Sequence, residues 1–361
     1  MSLNKYLLYI LGISLCFINY VQYGITTVIY KYLQNMNVQP LSLTALSNLI
    51  VIIVYSPRII HLFYKHRFET IKKIYNDNIA TWLLILLTIS ILIRCTLFLY
   101  GAQLTKSVYF QIINLTSPFF TLIISQILLK ILNHLKIDKF NNILGNRTNF
   151  VMIILIILTI LSGFVTIVSM QDKDKSSFKW TVDVYSIFSN FGTRDALGLS
   201  LLLISMVFIT FYNICIKLLT NKEKETDIES NLELEETKKQ LISNEFIFIH
   251  HIIIYSVFYS VLGILFEDWS YLLSKNWLMY VLIIVYGLTA YFLGNVVYFL
   301  AISYSSTTVF ALFTSVSLIS NIAFAEIFIP EEKITNLWTI IGSVSIVICV
   351  TLFAIIKLKY Q

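Results

Sequence analysis

The chain has 361 residues, of which 57% are hydrophobic and 13% are charged, and its mean hydropathy is +0.79. Soluble domains carry about 25% charged residues, so this composition excludes a water-soluble fold. The four cysteines lie in separate apolar runs without the spacing of a disulfide framework or a zinc site, and we expect neither a metal nor a cofactor.

Apolar runs long enough to cross a bilayer recur along the whole chain. A transmembrane helix needs about 20 apolar residues to cross about 30 Å of hydrocarbon. The sequence predicts one helix for each of these runs: 6–30, 41–64, 79–102, 107–130, 149–170, 196–219, 245–266, 277–301, 307–329 and 336–357. The first run lacks a small-residue cleavage site, so we expect it to be retained as a span. The predicted fold class is an all-α membrane protein with about ten transmembrane helices.

Lys and Arg residues are enriched on one side of the predicted membrane. If both termini lie in the cytosol, most of the 26 Lys and Arg residues fall on the cytosolic side, as the positive-inside rule requires. The net charge of +6 reflects this asymmetry and does not indicate a nucleic-acid partner. We expect a multi-pass integral protein of an endomembrane (Golgi, ER or vacuole) or of the plasma membrane, with N- and C-termini cytosolic.

Two polar segments interrupt the membrane pattern. Residues 171–195 form a predicted external (luminal) loop, and residues 221–243 form a predicted charged cytosolic loop. The external loop leaves five spans on either side of it. An odd number of spans forces two repeats into opposite membrane orientations, as in inverted-repeat transporters. We therefore predict a first five-helix repeat over 1–170 and an inverted second five-helix repeat over 196–361.

Hydrophilic side chains recur inside the apolar runs at helical spacing. In the fourth run Gln111, Asn114 and Pro118 are three and four residues apart and share one helix face. An amide that faces lipid leaves its hydrogen-bonding groups unpaired, at a cost of several kcal/mol. Two explanations remain open, namely helix–helix packing through small and polar residues, or a shared polar cavity. We favour the cavity because such stripes recur in four spans.

The cavity hypothesis defines a set of predicted substrate-binding residues. They are Asn19, Tyr23, Arg94, Gln111, Asn114, Asn213, Asn295, Ser317 and Asn321. Arg94 lies about 22 Å along its span from the cytosolic end, at about 1.5 Å per residue. Its guanidinium group can either snorkel to the outer surface or bind an anionic group through its planar fork.

Three further ionisable residues are candidates for proton coupling, namely His250, His251 and Glu326. Adjacent helical positions point about 100° apart, so at most one of the two histidines can face a cavity. The alternative for the histidines is a position at the membrane interface. Glu326 can instead pair with a cation near the outer mouth or reach water.

The pattern A-x(15)-P-x-F-T-L, which runs from Ala102 to Leu122, carries a family resemblance. Together with ten spans in two inverted halves, it resembles the drug/metabolite transporter (DMT) superfamily, and especially EamA-type and solute carrier family 35 proteins. Glu331 and Gly342 stand where the second repeat of that superfamily has an acidic residue and a glycine. The sequence departs from the pattern at Leu132, where the first repeat would have the acidic residue, and at Ser317, which replaces a proline.

The resemblance implies secondary transport, with a central site enclosed by spans 1–4 and 6–9. It implies substrates such as nucleotide sugars, phosphorylated sugars, amino acids, purines, vitamins or drugs. Members that carry phosphorylated substrates use Lys and Arg in the cavity, and the counterparts by position are Arg94, Lys31, Lys106 and Lys217.

The predicted function is therefore secondary-active or exchange transport of a small polar or anionic metabolite by alternating access. A nucleotide sugar, a nucleobase or a vitamin would fit. The alternatives are an intramembrane enzyme, for which the sequence lacks an H-E-x-x-H motif and paired intramembrane aspartates, and a non-transporting regulator on the same fold. We expect a non-enzyme. Its expected partners are a small-molecule substrate and the lipid bilayer, with a homodimer as an open alternative to a monomer.

Overall fold

The structure is a computed structural model. It describes residues 3–66, 78–134, 150–170, 192–220, 244–274, 276–297, 301, 314–329 and 336–360. The predicted loops at 171–195 and 221–243 therefore lie outside the described residues, except for the last four residues of the first loop.

Within these residues the chain forms helices and no strand. The α-helices are α1 (Leu3–Asn35), α2 (Pro40–His66), α3 (Asn78–Leu104), α4 (Ser107–Leu115), α5 (Ser117–His134), α6 (Phe150–Ser169), α7 (Thr193–Thr220), α8 (Asn244–Phe266), α9 (Trp277–Tyr286), α10 (Thr314–Phe328) and α11 (Leu337–Tyr360). A 3₁₀ turn (Ser270–Leu273) precedes α9, and a π-helical segment (Gly287–Leu293) continues it.

These helices confirm the predicted fold class. Seven of the described helices are long and apolar enough to cross a membrane, and two shorter apolar helices follow at Val316–Phe328 and Leu337–Phe353. Each of the ten predicted spans contains at least one described helix. The protein is an all-α, multi-pass membrane protein.

The fourth predicted span differs from the expectation of one continuous helix. It is broken into α4 and α5 at Thr116, whose N–H donates to the Ile113 carbonyl at 2.9 Å. Pro118 lies in the first turn of α5. Proline has no N–H to donate, and its ring clashes with the carbonyl four residues earlier, so α4 ends before it and α5 begins beside it.

The most extensive helix contacts pair α1 with α10, α3 with α7, α2 with α8, and α6 with α11. When each predicted span is moved five places along the chain, each of these four pairs maps onto a helix contact that is also observed. The α2–α8 and α6–α11 pairs map onto themselves, and the contacts of α1 with α9 and α10 map onto those of α7 with α3, α4 and α5. Two inverted repeats would give this pattern, and the division into repeats stays a prediction.

Small residues allow the paired helices to approach closely. A Cβ atom at Gly24 of α1 would lie 2.6 Å from the Ser320 Cβ of α10. A Cβ at Gly101 of α3 would lie 3.0 Å from the Gly198 carbonyl oxygen of α7, and a Cβ at Gly198 would lie 3.1 Å from the Gly101 oxygen. The contacts of α1 with α10 and of α3 with α7 therefore depend on glycine.

Two carboxylates at opposite ends of α8 bind it to α2. At the C-terminal end of α8, Glu267 accepts hydrogen bonds from the backbone N–H groups of Leu41 and Ser42, both at 2.8 Å. These N–H groups belong to the first turn of α2 and have no partner within the helix, so Glu267 caps it. At the N-terminal end of α8, Arg58 of α2 donates to Glu245 at 2.7 and 3.1 Å.

The Gly24 contact gives the first prediction. Gly24→Ala should lower the free energy of unfolding by about 1–3 kcal/mol, because the added methyl group meets Ser320 and the backbone of Asn321. Thermal unfolding in nanodiscs measures the change. Gly192→Ala is the control, since a Cβ there meets nothing closer than 3.9 Å. Unfolding of Gly24→Ala at or above the wild-type temperature would contradict the close packing.

Candidate functional site

Hydrogen bonds join α1, α4 and α10 through buried polar side chains. The Gln111 side-chain amide donates to Thr27 Oγ1 at 3.1 Å and to the Tyr23 carbonyl at 3.3 Å. The Asn321 amide donates to the same Thr27 oxygen at 2.6 Å, and Ser107 donates to Asn321 Oδ1 at 3.3 Å. In this structure the predicted substrate residues Gln111 and Asn321 therefore bind protein groups. This is the helix-packing role that the sequence left open.

Arg94 differs from Gln111 and Asn321 in its surroundings. No carboxylate lies beside its charge in the described part of the chain. Its Nε atom is buried without a hydrogen-bond partner, and its Nη1 group donates to Cys95 Sγ at 3.6 Å. The guanidinium carbon lies 4.7 Å from the centroid of the Phe98 ring. The one ion pair among the described residues joins Arg58 to Glu245 instead. The described contacts of the guanidinium group are thus with side chains of its own helix, Cys95 and Phe98.

Four tyrosines from three elements lie close enough to Arg94 for its charge to interact with their hydroxyl groups. They are Tyr23 of α1, Tyr255 and Tyr259 of α8, and Tyr291 of the π-helical segment. We call Arg94 and these tyrosines the Arg94 site. The site lies where the α2–α8 pair, α1 and α3 converge.

The tyrosine hydroxyls of the Arg94 site differ in their partners. The Tyr255 hydroxyl lies 3.3 Å from Cys95 Sγ, and the Tyr259 hydroxyl donates to the Leu92 carbonyl at 3.2 Å. Tyr291 interacts with the Thr44 side chain. These contacts hold three of the rings in place. For the Tyr23 hydroxyl, no described residue provides a hydrogen bond.

Tyr23 is exposed on the inner face of α1. The lipid-facing stripe of this helix includes Phe17 and Ile18, whose side chains are 50% and 52% exposed. At about 100° per residue, Tyr23 lies about 120° from Phe17 in one direction and about 140° from Ile18 in the other. Its 36% exposure is therefore toward the interior of the helix bundle. Arg94 is likewise turned about 140° from Ile89, a lipid-facing residue of α3 that is 50% exposed.

The π-helical segment positions Tyr291 and Asn295. Gln22 of α1 donates a hydrogen bond to the Thr289 carbonyl in this segment, and the Asn295 amide donates to the Tyr291 carbonyl at 2.6 Å. A π-helical turn shifts the register of the following side chains and is frequent at functional sites. The segment thus turns Tyr291 toward Arg94 and packs it against Tyr286, with ring centroids 5.9 Å apart.

The other predicted substrate residues occupy different surroundings. Asn19 lies one turn before Tyr23 and is fully buried, yet both polar atoms of its amide lack a hydrogen-bond partner among the described residues. Such a group normally requires water or a ligand. Asn114 and Asn213 are half-buried, and Ser317 is buried. The structure does not bring these three residues into the Arg94 site.

The two histidines face different neighbours, as adjacent helical positions require. His251 Nδ1 lies 3.3 Å from the Tyr212 hydroxyl, and its ring stacks on Tyr255 at 5.9 Å, while its Nε2 atom is buried without a partner among the described residues. The His250 ring stacks on Phe246 instead, at 6.3 Å. Of the two histidines, His251 therefore borders the Arg94 site. Glu326, the third candidate, is exposed near the C-terminal end of α10.

Two lysines expected at the site stabilise helix ends instead. Lys31 Nζ donates to the carbonyls of Ala102, Gln103 and Thr105 at 3.3, 3.2 and 2.7 Å, and so caps the C-terminus of α3. Lys106 donates to the Met170 carbonyl just after α6. Neither lysine belongs to the Arg94 site, and the side chain of Lys217 lies outside the described residues.

An open cavity of about 530 Å³ lies at the predicted outer ends of α1, α3 and α7. Its lining includes the basic residues Lys31, Lys106 and Arg194, with Asp195 as its acidic residue. A cleft lined by an excess of one charge raises the local concentration of ions of the opposite charge. The predicted outer face of the bundle therefore favours the approach of anions.

A smaller cavity of about 300 Å³ adjoins the loop between α8 and α9. Two hydrogen bonds from Ser270 hold the pKa of Asp268 below its ordinary value. Burial raises the pKa of Tyr271, whose hydroxyl donates to Ser42 at 2.9 Å. Asp268 and Tyr271 are thus bound by neighbouring groups, and the Tyr271–Ser42 bond joins the loop to α2, whereas the Trp269 Nε1 atom is buried without a hydrogen-bond partner among the described residues.

Comparison with known proteins gives a family match for the N-terminal part of the chain. Residues 10–136 match the family model described as the EamA-like transporter family, which belongs to the DMT superfamily. The resemblance seen in the sequence is confirmed for this part of the chain, and the family is one of transporters. Neither the curated proteins nor the solved structures contain a match.

Sequence reasoning missed three members of the Arg94 site. Tyr255 and Tyr259 are four residues apart, and this spacing on one helix face was a usable signal. Tyr291 follows the start of the π-helical segment, so a periodicity of 3.6 residues misplaces it. The capping role of Glu267 had no local signal, because its partners lie 225 and 226 residues away in the chain.

Replacement of the two cations by methionine separates their roles. Lys31→Met should lower the unfolding free energy by about 1–2 kcal/mol, because three carbonyls lose their donor. Arg94→Met should leave it unchanged or raise it by about 1 kcal/mol or more, because a buried charge without a counter-ion is removed. Thermal unfolding of both variants in the same nanodiscs measures this contrast. A larger loss for Arg94→Met than for Lys31→Met would contradict the two assignments.

Proposed function

We propose that this protein is a carrier for a small anionic metabolite, which binds at Arg94 and crosses the membrane by alternating access. The observation that carries the proposal is the Arg94 guanidinium group, which lies within a span with a buried Nε atom and no carboxylate beside it in the described residues. Nucleotide sugars, vitamins and similar metabolites remain the candidate substrates.

The energetic reason is the cost of an unpaired charge in a membrane. A cation inside a span costs several kcal/mol unless it finds a partner, and such residues usually mark the path of a substrate. The Phe98 ring offsets only part of that cost, since a cation–π contact contributes about 1–2 kcal/mol. An anionic substrate supplies the missing charge, and its binding is strengthened by the low dielectric constant around it.

The contacts between α2 and α8 support alternating access. The bond between Glu267 and the start of α2 holds the two helices together at the predicted outer side. The Arg58–Glu245 pair holds them at the predicted cytosolic side, where the Tyr55 hydroxyl also donates to Glu245 at 2.8 Å. A carrier that opens to one side at a time would have to release one of these contacts and keep the other. Both consist of few polar bonds near the membrane surface, where water can replace them.

Uptake into proteoliposomes tests the proposal. The probes are radiolabelled phosphate, glutamate, nicotinate and UDP-glucose, with nicotinamide as the uncharged analogue of nicotinate. At least one anion should enter, and the solute recovered should be chemically unchanged. Arg94→Gln should reduce its uptake at least tenfold, whereas Lys130→Gln, which removes an exposed charge on α5, should not.

Two results would reject the proposed function. One is uptake of none of the anions, and the other is uptake that is equal in wild type and Arg94→Gln. Recovery of a converted solute would support the enzymatic alternative, since a carrier leaves its substrate unaltered. Normal yield and monodispersity of Arg94→Gln are checked first, so that a loss of uptake reports on the site.

A further inference from the structure

The Arg94 site presents one positive charge, and this limits the charge of its ligand. Within the described residues, neither Lys31 nor Lys106 belongs to the site, because both donate to backbone carbonyls at helix ends. A phosphate monoester carries about −1.5 to −2 charges at neutral pH and would leave an unbalanced negative charge beside one arginine. A carboxylate carries one charge, and its planar pair of oxygens matches the guanidinium fork.

The remaining surface of the site is aromatic. The Tyr23 ring is exposed toward the interior, its hydroxyl has no described partner, and it lies within electrostatic range of Arg94. Phe98 covers a face of the guanidinium group. The Tyr255 and Tyr259 rings pack edge to face with centroids 5.7 Å apart, which leaves them ordered. A planar ring bound here could pack against these aromatic rings at little cost in conformational entropy. The cost is small because tyrosine and phenylalanine side chains have few rotatable bonds.

We propose that the ligand of the Arg94 site is a small aromatic carboxylate, with its carboxylate on Arg94 and its ring against Tyr23. This inference rests on the proposed function and narrows its substrate class to monoanions that carry an aromatic ring. Tyr23 is then a specificity residue, because its ring distinguishes a flat ring from a puckered one of similar size. Arg94 supplies the charge that both kinds of ring require.

Three probes of similar size separate the contributions of charge and ring. Benzoate has both features, cyclohexanecarboxylate has the charge without the aromatic ring, and benzamide has the ring without the charge. Binding to the full chain in nanodiscs is measured by thermal stabilisation over a range of probe concentrations. Benzoate should bind about three- to tenfold more tightly than cyclohexanecarboxylate, which corresponds to the contribution of an aromatic pair. Benzamide should give no stabilisation.

Substitutions at Tyr23 test which residue provides the preference. Tyr23→Leu should abolish the advantage of benzoate over cyclohexanecarboxylate, whereas Tyr23→Phe, which keeps the ring, should retain it. Tyr64→Leu is the matched control, since the Tyr64 side chain is 86% exposed near the cytosolic end of α2. The comparison of ligands on the wild-type protein remains decisive even if Tyr23→Leu folds poorly.

The outcomes distinguish this inference from the proposed function. Equal affinity for benzoate and cyclohexanecarboxylate, or stabilisation by phosphate alone, would overturn the aromatic assignment and leave an anion carrier in place. Retention of the benzoate preference in Tyr23→Leu would overturn the role of Tyr23. If no anion stabilises the protein and none is taken up by proteoliposomes, the proposed function fails together with the inference.

Discussion

A polar group inside a bilayer needs a partner, and this requirement organises the whole structure. Water cannot reach most of these helices, so each amide, hydroxyl or charge must be satisfied by protein, by a water-filled cavity or by a ligand. Gln111 and Asn321 meet the requirement through the shared Thr27 hydroxyl. Lys31 meets it through the carbonyls at the end of α3. Arg94 and Asn19 are among the residues whose buried polar atoms have no partner in the described structure, and Asn19 lies one turn from Tyr23 of the Arg94 site.

The same requirement explains the unusual backbone around the site. Pro118 interrupts the fourth span, and the π-helical segment interrupts the hydrogen bonding of the eighth. Irregular backbone is tolerated at membrane depth only where protein or water surrounds it. Here Gln22 donates to a carbonyl of the π-helical segment, and the Asn295 side chain donates to another. The π-helical turn is thus stabilised by one side chain from α1 and by one from its own span.

The all-α fold and its spans could be predicted because hydrophobic length is a local property of the sequence. The candidate residues were harder, since a stripe of polar residues predicts an inward face but not its partner. Gln111 and Arg94 both looked like cavity residues, and only the contacts across helices separate them. The sequence predicts that His250 and His251 face different surroundings, but it does not indicate which of them faces the interior. The break at Thr116 follows from Pro118, whereas the π register of Tyr291 depends on packing against α1 and α2, which no local pattern contains. The inverted-repeat division stays a prediction that the helix contacts support.

The central claim is that Tyr23, although embedded in an apolar helix, faces a water-accessible interior. Substituted-cysteine labelling tests it most directly in a background where Cys16, Cys95, Cys215 and Cys349 are replaced by alanine. In sealed vesicles, a charged, membrane-impermeant thiol reagent should modify Tyr23→Cys and leave the lipid-facing Ile18→Cys unmodified. An inert cysteine at position 23, or equal labelling at positions 18 and 23, would show that no shared aqueous interior exists there.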